Sequence, residues 1–340
     1  MARLLHYVPA GPVDGHPHVM VDGAPRPGTV CTLSHWPGTP TPEELWDDVS
    51  AGIVLRALAR PGLWARHVRA ASIDHYDADG VIALGLLCVD GLAADHGPLL
   101  VDAARVGDFD VVGDRHAALI AFALATLGDP GRVQAVRSGA PGGDVMARCA
   151  WAAGEALLLL PALASDPAAY EALWGDEARA YDAATRALAE GWAAIEERPE
   201  HDLAVVHIDT DHPDAAAAAW GGAPLHRSAV HSATACLRIV TVAGHHLELR
   251  YRYESWVRLV SRRPRPRVDL GPLASELTRA ESGEVRWVFD GASAITGSLH
   301  VAGGAPSTLD PAWFVETVCH QLAVLDAGPP AWDPYTRPVR

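Results

Sequence analysis

With 340 residues, 49% of them hydrophobic, the chain is long enough to form two domains with buried cores. It contains no lysine and no asparagine, so all 27 basic side chains are arginines; this excludes Schiff-base and pyridoxal chemistry, the P-loop lysine and a Cys-His-Asn triad. A net charge of −15 opposes binding to long nucleic acid, whose affinity comes largely from neutralising phosphates, but leaves open a small anion held by a local arginine cluster.

Residues 1–40 read as short strands separated by turns, among them "HVMVDG" and "TVCTLSH". "TPTPEELWDDVSAGIVLRALAR" carries helix signals, with Thr41 as the expected N-cap and Pro42 at the first helical position. "HVRAASID" and "GPLLVDAARVGD" read as short apolar strands ending in aspartate, with a helix between them. That alternation predicts an α/β fold: a mainly parallel sheet with helices on both faces. An alanine-rich helical linker is expected over about 144–196, broken near Pro161 and restarted at Asp166, so the first domain is placed at 1–200. From 201 to 340, "LAVVHID", "CLRIVTVAG" and "HHLELRYRYESWVRLV" alternate as antiparallel strands, and "DLGPLASELTRAE" and "PAWFVETVCHQLAVL" read as amphipathic helices. The second domain is therefore expected to be a smaller α+β unit.

No apolar run approaches the roughly 18 residues of a membrane span, and "MARLLHYVPAGP" lacks the pattern of a signal peptide. Five scattered cysteines with no CxxC pair suggest free thiols. A cytoplasmic protein without a membrane partner is expected, with a homodimer as an open possibility.

The densest chemistry lies in "SIDHYDADGVIALG", where Asp74, His75, Asp77 and Asp79 fall within six positions at the mouth of an apolar helix. On a loop at the carboxyl end of a parallel strand they occupy the place where open α/β sheets bind ligands. Carboxylates so close repel one another unless a cation or an arginine compensates, and oxygen and imidazole donors suit Mn²⁺, Mg²⁺ or Fe²⁺. The alternative is a polar loop in which Asp79 caps the helix. "TLSHWPGTP" places His35 at the equivalent point after a neighbouring strand, as a further ligand or a general acid, or as a turn histidine packed under Trp36.

"DHYDADG" before an apolar helix resembles the first motif of the DHH phosphoesterase superfamily, whose members include RecJ-like exonucleases and oligoribonucleases. The resemblance implies a two-metal centre, usually manganese, with His75, Asp77 and Asp79 as ligands and His75 and Asp77 at the catalytic core. It further implies an aspartate at the end of the next strand, matched by Asp102. No Asp-His-His triplet follows; Asp114 and His116 of "GDRHA", with Asp108 nearby, stand in its region. The only His-His pair, His245 and His246, lies in a strand-like stretch, and Asp209 and Asp211 of "VVHIDTDHP" offer a further ligand. The second half has the order of the small domain that accompanies such catalytic domains, but without its glycine-rich G-G-G-H loop.

Seven arginines fall between Arg250 and Arg267. Arg258, Arg262 and Arg263 are expected to clamp an anionic substrate by bidentate hydrogen bonds, against the alternative of a solvated, acid-paired face. The expected function is a divalent-metal-dependent phosphoesterase acting on a small anionic or nucleotide-like substrate. The alternatives are a catalytically degenerate DHH-like module that binds a nucleotide or other anion, and an iron enzyme using His75, Asp77 and a distal His226 or His231.

Overall fold

A computed structural model describes residues 4–60 and 62–336. The chain forms two compact units, the first running to Ala178 and including Leu259–Arg262, the second comprising Arg179–Arg258 and Arg263–Arg337. The division falls ahead of the boundary expected near residue 200, inside a helix.

The first unit carries β1 (His6–Tyr7), β2 (His18–Val21), β3 (Thr29–Leu33), α1 (Ser50–Leu58), β4 (Ala70–Ser72), α2 (Ala78–Cys88), α3 (Leu92–Phe109), α4 (Arg115–Gly128), α5 (Pro130–Val136), α6 (Val145–Ser165) and the first part of α7 (Glu171–Glu190). Its sheet has the order β1-β4-β2-β3 and every pairing is parallel. β2 is buried along its whole length, as a central parallel strand covered on both faces must be. The strands of this sheet therefore deliver their carboxyl ends to one edge.

Three expectations fail here for identifiable reasons. "GPLLVDAARVGD" belongs to α3, because Leu100, Val101, Ala103, Ala104 and Val106 bury one helical stripe while Asp102 and Arg105 lie outside it. α1 starts at Ser50 after a short 3₁₀ turn, and Thr41 caps nothing: its hydroxyl is exchanged with the backbone of Ser34. α6 runs straight through Pro161 and ends at Ser165, and only the restart at Asp166 holds, its side chain accepting from the Ala168 amide. With 21 residues, α6 is also long and apolar enough to cross a membrane by length and composition, which the sequence scan missed because Arg148 and Glu155 interrupt the run. It packs against α2, α3 and α4.

The second unit carries β5 (Ala193–Arg198), β6 (Leu203–Ile208), α8 (Ala215–Ala218), α9 (Arg227–Ala233), β7 (Arg238–Ala243), β8 (His246–Tyr251), α10 (Gly271–Ala280), β9 (Trp287–Phe289), β10 (Ser298–Val301) and α11 (Pro311–Asp326). Its six strands are ordered β5-β6-β7-β8-β10-β9. The pairing is mixed, because β6 and β7 are parallel, joined by the long connection that holds α8 and α9. Alternate residues serve two cores: Leu203, Val205, Val240, Leu247 and Leu249 pack with α10 and α11, while Ala204, Val206, Ile208 and Ile239 pack with α7 and α9. On β8 the second face is polar, carrying His246, Glu248 and Arg250.

Candidate metal centre

Three neighbouring parallel strands, β4, β2 and β3, each run out into a ligand-bearing residue. Asp22 follows β2, His35 follows β3 after one serine, and the 74–79 segment follows β4. Asp22 has a left-handed backbone with φ of 45°, and its amide donates to the Leu33 carbonyl (3.1 Å), which ties it to the end of β3. Its Oδ1 accepts from the Ser50 hydroxyl at 2.8 Å, whereas Oδ2 is buried and accepts no hydrogen bond.

His35 is buried, with Nδ1 2.6 Å from the Asp48 carbonyl. A carbonyl can only accept, so Nδ1 carries the proton and Nε2 presents its lone pair. That Nε2 lies 3.5 Å from Asp22 Oδ1, 3.8 Å from Asp79 Oδ2 and 3.4 Å from Asp108 Oδ2. Burial drives the imidazole down to about 4, so it is neutral at physiological pH.

Asp79, in the first turn of α2, is fully buried and receives the amides of Ser50 (2.6 Å) and Ala51 (2.7 Å), capping α1 across space. Burial and the Asp77 charge raise its carboxyl to about 7. Asp108 reaches the cluster from the last turn of α3, and its Oδ2 is a second buried carboxylate oxygen without a hydrogen bond. Burial and the charges of Asp79, Asp77 and Asp22 push it well above the usual carboxylate range; burial, Asp77 and Asp79 do the same to Asp22. α3 comes this close because residue 107 is glycine: a β-carbon there would stand 2.4 Å from that of Ala78.

On the more open side, Asp77 caps α2 through the Gly80 amide (2.8 Å) and holds His75 Nε2 at 2.8 Å. His75 Nε2 lies 3.4 Å from Asp22 Oδ2, and Nδ1 bonds Asp74 at 2.7 Å. Burial opposes a charge on His75, but Asp77, Asp74 and Asp22 outweigh it and raise the ring to about 12. Burial likewise pushes Asp77 up, and the His75 cation overcomes it and holds Asp77 below its ordinary value. The Trp36 ring leans over His75 with centroids 5.2 Å apart.

Among the described residues, two sets of three ligand atoms lie within 4.8 Å of one another: Asp22, His35 and Asp79, and Asp22, His75 and Asp77. Asp22 belongs to both. The donors are carboxylate and imidazole, and two buried carboxylate oxygens, on Asp22 and Asp108, accept no hydrogen bond. Leaving such atoms unpaired costs about 1–3 kcal/mol each, more for charged groups. Hard divalent cations fit this set, with Mn²⁺ suited to the mixed oxygen and nitrogen donors.

Of the residues expected from sequence, His35, His75, Asp77 and Asp79 come together. Asp102 does not: it lies half-exposed on α3, 3.3 Å from Arg105. Asp114 is the N-cap of α4, accepting from the Ala117 amide, and His116 bonds the Leu163 carbonyl. Asp209 caps a turn in the second unit, where His226 is the N-cap of α9 and His231 lies within that helix. Arg258 and Arg263 stack over the Tyr335 ring, and Arg262 is exposed. Sequence reasoning passed over Asp22 and gave Asp108 no role. "HVMVDG" held the signal for Asp22, since it too is an apolar strand ending in aspartate.

The molecule is thus a two-domain α/β protein with a buried His/Asp cluster at the carboxyl edge of a parallel sheet. The chain belongs to the family of unknown function DUF6687, whose model matches residues 3–320. No curated protein matches the sequence.

Proposed function

We propose that the first unit is a divalent-metal-dependent phosphoesterase, distantly related to the DHH superfamily, and that Mn²⁺ occupies a two-ion centre. The observation that carries this reading is the sharing of Asp22 between the two three-ligand sets. Asp22 turns Oδ1 toward His35 and Oδ2 toward His75, so this one carboxylate would serve both ions. Asp22, His35, Asp79 and Asp108 would hold one ion, and Asp22, His75 and Asp77 the other. Asp108 and Asp22 then take the places that the sequence reading gave to Asp102, Asp114 and His116.

Such ions lower the pKa of bound water and neutralise charge on a departing oxygen. The protein's own contribution is orientation. The Asp48 carbonyl fixes the His35 tautomer, the Ser50 and Ala51 amides fix the Asp79 carboxylate, and Asp74 fixes the His75 ring. Supporting bonds of this kind hold ligands within the tolerance that metal sites need. The substrate is read as a small phosphoester, and the setting as cytoplasmic, where the five free cysteines stay reduced.

The test is hydrolysis of bis(p-nitrophenyl) phosphate with added Mn²⁺. Wild-type protein should turn over and lose activity in EDTA, while Asp22→Asn should be inactive with its fold intact. Metal-independent hydrolysis, or full activity in Asp22→Asn, would contradict the proposal.

A further inference from the structure

The end of α4, α5 and the start of α6 enclose a cavity of about 200 Å³ that the metal centre does not use. Leu127, Val133 and Val145 contribute apolar wall, and two aromatic rings, Tyr76 and Trp151, border it. Leu127 and Val133 are buried, but Val145 is an apolar side chain left exposed in the first turn of α6. Tyr76 is a fixed wall. Its hydroxyl donates to the Leu124 carbonyl at 2.9 Å, and Gly128 packs so closely that a β-carbon there would stand 2.7 Å from the ring. A volume below the roughly 300–1,000 Å³ of sites for drug-sized ligands suits a group of one or two fused rings.

The polar groups at this cavity include one cation and no acid: Arg148 lines it, and no aspartate or glutamate does. Among the described residues Arg148 has no carboxylate partner, and its guanidinium donates only to the Gly143 carbonyl. The Trp151 indole N–H and the Gln134 amide, which also line the cavity, make no hydrogen bond among the described residues. Such an unopposed cation is notable in a chain whose net charge is −15. A single guanidinium balances a single negative charge, and its planar fork matches a carboxylate.

We infer that the first unit binds a small aromatic carboxylate in this cavity, its ring against Tyr76 and Trp151 and its charge at Arg148. None of the lining residues belongs to the proposed metal ligands, so the inference does not rest on the phosphoesterase reading.

Isothermal titration of the full chain in EDTA with 2-naphthoate, and separately with 2-naphthalenemethanol, tests this directly. The two probes share the ring system and differ in charge. Saturable one-to-one binding of the acid is expected, with the alcohol weaker by about tenfold or more for want of a charge-assisted pair. Arg148→Gln should bind acid and alcohol equally, and Trp151→Ala should weaken both. Cys149 also lines the cavity. Saturating 2-naphthoate should therefore slow its alkylation by iodoacetamide, read by peptide mass spectrometry, and leave the free Cys319 of the second unit unaffected. This protection and the comparison of the two probes use wild-type protein, so they decide the matter even if a variant fails to fold. No binding of 2-naphthoate would overturn the inference. So would equal wild-type affinity for acid and alcohol, a preference for the acid that survives in Arg148→Gln, or binding that leaves Cys149 unprotected.

Discussion

Asp22 differs from most acids of the cluster in having one oxygen held by a hydroxyl and the other buried without a hydrogen bond. That asymmetry makes it the residue on which metal retention should depend most. Asp22→Asn keeps the volume and the Ser50 contact but removes the charge, so elemental analysis should show loss of both ions. By contrast, Asp102→Asn and Asp114→Ala should leave metal content unchanged, although the second will cost about 1 kcal/mol as a lost helix cap. The titration of the cluster makes a further prediction. Asp79 is raised to about 7, Asp22 and Asp108 are raised well above the usual range, and His75 is raised to about 12. A group whose folded pKa exceeds its unfolded value stabilises the fold at low pH, and loses that contribution as pH rises through the folded value. His35, lowered to about 4, acts in the opposite sense, but only below its unfolded value of about 6.5. Metal-free protein should therefore melt at lower temperature at pH 8 than at pH 6.5, and saturating Mn²⁺ should abolish the difference; equal melting in EDTA would refute this titration scheme. At this scale the sequence exposed His75, Asp77 and Asp79 because they are adjacent in the chain. Asp22 and Asp108 were hidden because only the pairing of β2 with β3 and β4, and the approach of α3 through Gly107, bring them there.

Helix ends and strand ends build the centre, so its elements are coupled to its residues. Asp79 caps α1, Asp77 caps α2, and Gly107 lets α3 reach them. Gly107→Ala should destabilise the protein by about 1–3 kcal/mol through overpacking against Ala78 and should weaken metal retention by moving Asp108; a variant with wild-type stability and metal content would show that α3 is less constrained. In the second unit, Glu281 at the end of α10 accepts from Ser307, Thr308 and Trp287. Burial opposes its charge, yet these bonds hold its carboxyl below the usual range. Its contribution is present above the unfolded value of about 4.3 and is lost as pH falls through the folded one. Glu281→Gln should therefore lower the melting temperature at pH 7 and converge with wild type in acid, as scanning calorimetry can check. Strands with clean punctuation were legible: "HVMVDG", "TVCTLSH" and "CLRIVTVAG" all contain strands, and α10 and α11 fall where amphipathic spacing put them. "LLVDAARV" was not, because a short apolar run fits a strand or a buried helix stripe equally until packing decides.

At the scale of the whole molecule, composition and element order were enough to read a two-domain α/β protein, and the mixed sheet of the second unit was the part they could not give. A parallel β6–β7 pair depends on a crossover that no local pattern announces. Charge was legible only as a total: Arg252 and Arg267 of the arginine cluster are buried, and outside it Arg238 is buried and paired to Asp326. Arg267→Lys, able to reach only some of the carbonyls now served, should destabilise the protein by about 2–4 kcal/mol in denaturant titration. The central claim concerns the first unit. It is tested most directly by elemental analysis of protein purified without added metal and again after incubation with Mn²⁺, alongside Asp22→Asn and His35→Ala. The account predicts close to two equivalents of manganese or a similar divalent ion in the wild type, and a marked loss in both variants. Wild-type protein that takes up no divalent ion under either condition would contradict it.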